Sequence, residues 1–156
     1  MTDRFINGNT SNDGTPTGAA AGADWLGGDL EGVTSKIQSG YFAELGVNVL
    51  WLTPFNTNAQ GTGLAADGVH EVSAFHGYWP VEPRQVDPRL GSADQLKEMV
   101  AAAHTAGIRV MMDYVVNHVH EDHIYYQENP EWFNQGCICG SDNCDWTEHR
   151  LSLIHI

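Results

Sequence analysis

Basic residues, cysteines and long apolar runs are all scarce in this 156-residue sequence. Only 7 Lys and Arg residues stand against 20 Asp and Glu residues, which gives a formal net charge of -13. Such a charge disfavours nucleic acids and anionic membranes as partners. No apolar run approaches the roughly 20 residues that a membrane span needs, and no signal peptide is recognisable after Met1. The acidic surface suits cations or neutral substrates, or serves only solubility.

The three cysteines, Cys137, Cys139 and Cys144, lie close together near the end of the sequence. With His149 they could bind zinc, but their spacing is not that of a zinc knuckle or ribbon. A disulfide, with a fourth cysteine beyond this sequence, is the favoured alternative. It would imply an oxidising compartment.

Helical and strand patterns alternate along the chain, whose length suits one domain. Apolar residues recur at helical spacing over 30–45 and 92–106, and Ser92 with Gln95 forms the pattern of a capping box. Apolar runs of β type occupy 47–53 and the start of 108–118. This order predicts an α/β fold with a parallel sheet and crossover helices. No helix or strand is predicted over 120–150.

The segment 108–118 ends in polar side chains, among them Asp113, Asn117 and His118. Ligands of α/β proteins bind outside the carboxyl ends of the strands. These three residues are therefore candidates for a functional site. The alternative is an ordinary buried strand with a polar exit loop.

The segment 55–91 has no convincing periodicity, and long loops of this kind are often functional. It contains His70, His76, Tyr78 and Trp79. Aromatic faces stack on the apolar face of a pyranose, so these residues could line a sugar site. The alternative is that Tyr78 and Trp79 only fasten the loop to the fold.

The N-terminal loop is rich in short side chains that carry oxygen. Asn7, Asn9, Asn12 and Asp13 fall within seven residues, and Asp29 follows. Calcium prefers six to eight oxygen ligands, which such a loop can supply in part. The EF-hand pattern does not fit, because Ala20 occupies its twelfth position. A solvated, turn-rich loop is the alternative.

Four motifs in the same order resemble the α-amylase family of glycoside hydrolases. DYVVNH at 113–118 resembles the family's D-x-x-x-N-H after the third barrel strand, and HGYW at 76–79 is similar to its H-G-Y-W/Y. GVNVLWLTP at 46–54 resembles the second strand, and TDRF at 2–5 resembles the end of the first. The resemblance covers most of the chain up to about Arg150.

The resemblance implies a partial (β/α)8 TIM barrel, of about three strands, over residues 1–119. It also implies the start of an inserted domain over 120–150, while 151–156 does not resemble the family and is expected to be a non-native tail. The implied activity is that of a retaining glycosidase acting on α-1,4-glucans such as starch and maltooligosaccharides. A glucanotransferase of the same family and a non-enzymatic calcium- or sugar-binding module are the alternatives. The family's catalytic Asp, Glu and Asp have no counterpart here, so the chain alone is expected to be inactive. The family and the cysteines together lead us to expect a secreted or periplasmic protein.

The resemblance also implies roles for individual residues. His76, Tyr78, Trp79 and His118 resemble substrate-binding residues, and Asp113 resembles an aspartate that orders the site without acting as a catalytic carboxylate. Asn117 resembles a ligand of the Ca²⁺ between barrel and insertion. The N-terminal loop resembles an additional Ca²⁺ loop, whose ligands would be Asn7, Asn9, Asn12, Asp13, the Gly27 carbonyl and Asp29.

Overall fold

The chain forms four helices and six short strands within the residues that can be described. The computed structural model describes residues 1–65 and 67–133. The helices are α1 (Leu30–Gln38), α2 (Tyr41–Glu44), α3 (Ala93–Thr105) and α4 (Ile124–Glu128). The strands are β1 (Val49–Leu52), β2 (Asn56–Asn58), β3 (Thr62–Leu64), β4 (Glu71–Ser73), β5 (Pro80–Val86) and β6 (Arg109–Met112). The predictions for Cys137, Cys139, Cys144, His149 and the tail 151–156 lie outside the described residues.

The central feature is a parallel pair formed by β1 and β6, with Val49 opposite Arg109 and Leu52 opposite Met112. Helix α3 directly precedes β6, so the predicted parallel sheet with a crossover helix is confirmed. Among the described residues only one face of the pair is covered. Leu52 points into the core, whereas Trp51 is 68% exposed.

The hydrophobic core lies between this pair and helices α1 and α3. Apolar side chains contribute about 1.5–3 kcal/mol each when they are fully buried. The largest fully buried side chains are Leu30, Met99 and Val33, which come from α1 and α3. These two helices pack against each other. The core consists of Leu30, Val33, Ile37, Phe42, Leu50, Leu52, Phe55, Leu90, Met99, Ala103 and Ile108. No helix within residues 1–65 and 67–133 is long and apolar enough to cross a membrane.

Helix α3 begins and ends where the sequence predicts. The Ser92 hydroxyl accepts a hydrogen bond from the Gln95 N–H, and the Gln95 side chain accepts one from the Ser92 N–H. The predicted capping box is therefore present. The prediction of one helix over 30–45 was wrong, because Gly40 adopts a φ of 81° and separates α1 from α2.

The predicted end of a first barrel strand at 2–5 was also wrong. Thr2–Arg4 forms a 3-10 turn, in which the Thr2 carbonyl accepts a hydrogen bond from the Phe5 N–H. The Asp3 carboxylate accepts hydrogen bonds from the Leu26 and Gly27 N–H groups, which ties this turn to the loop before α1. Two barrel-type strands, rather than three, are therefore paired in the described part of the chain.

The strand predicted within 108–118 ends at Met112, earlier than expected. The Asp113 N–H still donates to the Leu52 carbonyl at 3.0 Å. Pro54, two residues after the end of β1, has no N–H group that could continue the hydrogen bonding with the segment after β6. Residues 113–119 consequently form a loop at the carboxyl end of the pair.

The aperiodic segment 55–91 contains four strands that were not predicted. β2 pairs with β5 and β3 pairs with β4, both antiparallel. β2, β3 and β4 have three residues each, which is too few for alternation to be recognised. Pro80 and Pro83 argue against a strand over β5. The prediction that no helix lies over 120–150 was wrong as well, because α4 lies there. This helix begins after His123, whose Nδ1 accepts a hydrogen bond from the Tyr125 N–H.

Candidate functional site

The segment between β4 and β5 meets the loop after β6 through a hydrogen bond between Tyr78 and Asp113. The Tyr78 hydroxyl donates to Oδ2 of Asp113 at 2.5 Å. Hydrogen bonding to this carboxylate raises the pKa of Tyr78 to about 12, with a further contribution from burial. Tyr78 therefore remains a protonated donor throughout the neutral pH range. Asp113 thus joins the loop after β6 to Tyr78 through a side-chain hydrogen bond.

His118, which also lies in the loop after β6, contacts the backbone of Tyr78. Its Nε2 lies 2.8 Å from the Tyr78 carbonyl oxygen. Because a carbonyl only accepts hydrogen bonds, the neutral ring carries its hydrogen on Nε2. His118 also lines a cleft of about 280 Å³ whose walls include Pro83 on β5 and Tyr125 on α4. His118 therefore contacts Tyr78 and also borders an open cleft.

Three rings of the HGYW motif pack on one another. The His76 and Tyr78 rings are 5.9 Å apart and nearly parallel, and His76 meets the edge of Trp79 at 4.9 Å. Nδ1 of His76 accepts a hydrogen bond from the Tyr78 N–H at 3.0 Å. Burial, with a smaller contribution from His118, lowers the pKa of His76 to about 4. His76 is consequently a neutral aromatic support at physiological pH.

Trp79 is held by two buried polar residues that the sequence analysis missed. The Trp79 N–H donates to Oδ1 of Asn58 at 2.7 Å, and the Asn58 N–H donates to Oδ2 of Asp87 at 2.9 Å. Both side chains are buried. An isolated Asn in an aperiodic segment gives no sequence signal, because its partner is distant in the chain. Asp87 indicates only a turn, since it precedes Pro88.

Three of the predicted calcium ligands converge in the N-terminal loop. Nδ2 of Asn7 donates to Oδ1 of Asp13 at 2.8 Å. A Cβ added at Gly27 would lie 2.3 Å from the Asn7 amide and 2.6 Å from the Asp13 carboxylate. Oδ1 of Asn12 is buried and has no hydrogen-bond partner among the described residues. Two amides, a carboxylate and a nearby backbone carbonyl are the hard oxygen donors that calcium prefers, so these residues fit the ion.

The side-chain oxygens of Asp29 and Asn9 already accept hydrogen bonds from other groups of the protein. The Asp29 carboxylate accepts hydrogen bonds from the N–H groups of Gly8, Asn9 and Gly32, the last of which makes it the N-cap of α1. Oδ1 of Asn9 accepts from the Ser11 N–H and hydroxyl. Across residues 1–65 and 67–133 there is no group of three His, Cys, Asp or Glu side chains suited to a metal. Asn117 lies exposed in the loop after β6. Amide and backbone oxygens would therefore have to supply much of any calcium site.

A family model for the alpha-amylase catalytic domain matches residues 1–147. The chain belongs to the alpha-amylase family. The members that it resembles are glycosidases and glucanotransferases of the alpha-amylase type. This membership confirms the resemblance inferred from the four motifs.

This alpha-amylase family chain aligns with individual relatives over almost its whole length, but it spans less than a third of each of them. It is 34% identical to a cyclomaltodextrin glucanotransferase of Paenibacillus macerans, over 93% of this chain and 21% of the relative. The crystal structure of an Anoxybacillus alpha-amylase superposes with a TM-score of 0.74 and 30% identity, over 96% of this chain and 29% of the other. An alpha-amylase of Geobacillus thermoleovorans in complex with acarbose gives a TM-score of 0.70 and 32% identity, over 100% of this chain and 30% of the other. The fold is therefore a part of the alpha-amylase family barrel.

Proposed function

We propose that this chain is the first part of a retaining glycoside hydrolase that acts on α-1,4-glucans such as starch and maltooligosaccharides. The observation that carries the proposal is the convergence of Tyr78, Asp113 and His118 at the carboxyl ends of two parallel strands. This is the edge at which α/β barrels bind ligands. The complex of the Geobacillus relative with acarbose supports a carbohydrate ligand.

The contacts of each residue support a role for it in this proposal. The Tyr78 ring offers a flat face on which the apolar side of a sugar can stack, and Asp113 fixes the angle of that ring. His118 is placed to hydrogen-bond a sugar hydroxyl, while His76 and Trp79 support the loop and border the site. A retaining mechanism needs a carboxylate nucleophile and a carboxylic general acid about 5–5.5 Å apart. In our proposal, later strands of the barrel supply both.

The same proposal assigns calcium to the N-terminal loop. Asn7, Asn12, Asp13 and the Gly27 carbonyl would hold the ion, with Asn9 and Asp29 shaping the loop around it. Asn117 would contribute to a second ion, between the barrel and an inserted domain that begins at about residue 120. Bound calcium would fasten loops together and stabilise the folded state by mass action.

A glucanotransferase is the second candidate, and the 34% identity to the Paenibacillus macerans enzyme favours it. Both reactions pass through the same covalent glycosyl intermediate, and they differ in whether water or a glucan hydroxyl accepts the sugar. Chromatography of the products from soluble starch separates them, because a hydrolase releases linear maltooligosaccharides and a cyclising transferase releases rings. Binding of glucan without turnover would instead support a non-enzymatic module. We further propose that the protein is secreted or periplasmic.

Replacing His118 by alanine tests the site directly. In the intact protein that contains this chain, we expect kcat/KM on a maltooligosaccharide to fall about tenfold, which corresponds to about 1.4 kcal/mol of transition-state binding. The melting temperature should change little, because the lost hydrogen bond lies in a loop rather than in the core.

His70→Ala is the matched control for this experiment. His70 lies in the same long segment and was a candidate for the sugar site from the sequence. In the structure its exposed side chain pairs with Asp67 in a local turn rather than with Tyr78, Asp113 or His118. Its replacement should leave kcat/KM unchanged. If His118→Ala kept full activity but lowered the melting temperature strongly, His118 would be a structural residue only.

A further inference from the structure

Arg89 lies almost buried beside the loop that contains Asp13, with only 8% of its surface exposed. Its Nη1 donates to the Asp13 carbonyl at 2.8 Å, and its Nη2 donates to the Thr15 carbonyl at 3.0 Å. Gly14, between these two residues, adopts a φ of 71°, and a Cβ added there would lie 2.9 Å from the centre of the guanidinium. The backbone of 13–15 is therefore wrapped around a planar two-pronged donor.

The same guanidinium contacts the other half of the proposed calcium loop. Its central carbon lies 5.2 Å from the centre of the Trp25 ring. Trp25 stands two residues before Gly27, whose carbonyl is a proposed ligand. Arg89 is itself held in place, because its N–H donates to Oδ1 of the fully buried Asp87 at 2.9 Å. The Arg89 side chain thus contacts both segments that carry proposed ligands, while its backbone is held by the buried Asp87.

We propose that Arg89 is a positioning residue for calcium, which holds the Asp13–Thr15 backbone so that Asp13 and Asn7 face Gly27 before the ion binds. The inference rests on the proposed calcium site. A loop that is ordered in advance loses less conformational entropy when it binds a ligand. The planar fork of Arg suits two carbonyls at once, whereas the ammonium of Lys is a single point of charge.

Charge and positioning predict opposite results for this residue. A guanidinium repels a cation, so an effect of charge alone would make calcium bind more tightly when Arg89 is removed. The positioning role predicts weaker binding, even when the positive charge is retained. The sign of the change in affinity therefore decides between the two.

The experiment measures Ca²⁺ binding by calorimetry in the intact protein after its metal has been removed with a chelator. We expect Arg89→Lys, which keeps the charge but loses the fork, to raise the Kd at least tenfold, or about 1.4 kcal/mol. Arg89→Gln, which removes the charge, should also bind more weakly than the wild type. The gain in melting temperature on adding Ca²⁺ should shrink in both variants. If Arg89 were important only for the fold, its replacement would lower the melting temperature by the same amount with and without Ca²⁺.

Arg84→Lys is the control, because Arg84 is an exposed arginine that forms a two-pronged pair with Glu82 rather than with the loop. Its Kd for Ca²⁺ should match that of the wild type. An unchanged Kd in Arg89→Lys, or a lower Kd in Arg89→Gln, would overturn the positioning role. Failure of both Arg89 variants to unfold cooperatively would overturn it too, by showing that Arg89 is required for the fold. If the wild type binds no Ca²⁺, the calcium site itself is wrong.

Discussion

Replacing Asp29 by alanine is expected to lower the free energy of unfolding by about 2–3 kcal/mol, whether or not calcium is present. Asp29 is fully buried and its carboxylate accepts hydrogen bonds from the N–H groups of Gly8, Asn9 and Gly32. Alanine would leave these donors without their acceptor. The N-cap bond to the Gly32 N–H is buried, and a buried donor left unsatisfied costs about 1–3 kcal/mol. The Gly8 and Asn9 N–H groups are only partly buried and add less to the loss.

Urea unfolding of the intact protein, in a chelator and again in excess Ca²⁺, measures this effect. Asp29→Asn is the matched variant, because it keeps one carbonyl oxygen and the shape of the side chain. We expect it to lose less stability than Asp29→Ala. If the loss in Asp29→Ala disappeared in the chelator, Asp29 would act through the metal and its role as a helix cap would be minor.

The second large effect is expected at Tyr78. Tyr78→Ala removes both the stacking face and the hydrogen bond to Asp113, and we expect kcat/KM on maltooligosaccharides to fall about 100-fold, or about 2.7 kcal/mol. Tyr78→Phe keeps the ring and loses only the hydroxyl, so its loss should be about tenfold. Steady-state kinetics of the intact protein give both values, with melting temperatures to confirm folding.

Asp113→Ala distinguishes an ordering role from a direct one. If Asp113 acts by holding the Tyr78 hydroxyl, the effects of Asp113→Ala and Tyr78→Phe should not add, because both remove the hydrogen bond between these two side chains. The double variant would then be no slower than the slower single variant. Strictly additive losses would show that Asp113 contributes by another route, and the proposed positioning of Tyr78 would be wrong.

Local signals predicted much of the fold. The capping box of α3 depends on Ser92 and Gln95, three positions apart, and the apolar runs of β1 and β6 are each visible without knowledge of any partner. The split between α1 and α2 was missed because the effect of Gly40 depends on its backbone angle. The strands β2, β3 and β4 were missed because they have only three residues each. β5 was missed because Pro80 and Pro83 interrupt its pattern.

Sequence motifs identified the residues of the proposed site but not the residues that hold them in place. Tyr78, Asp113 and His118 were identified from motifs, and the structure brings them together. Asn58 and Arg89 were not identified, since their partners lie 21 and more than 70 residues away. The geometry of Asp29 as a helix cap also needed the structure, because a capping aspartate and a metal ligand look alike in sequence.

The pairing of β1 with β6 has a consequence for synthesis on the ribosome. Val49 pairs with Arg109, so β1 emerges about 60 residues before its neighbour, or roughly 3–12 s earlier at about 5–20 residues per second. Contacts between residues so far apart also form slowly once both are available. Throughout that interval Leu50 and Leu52 have no β6 to pair with. The rate of translation over residues 49–109 therefore sets how long β1 waits for its partner strand.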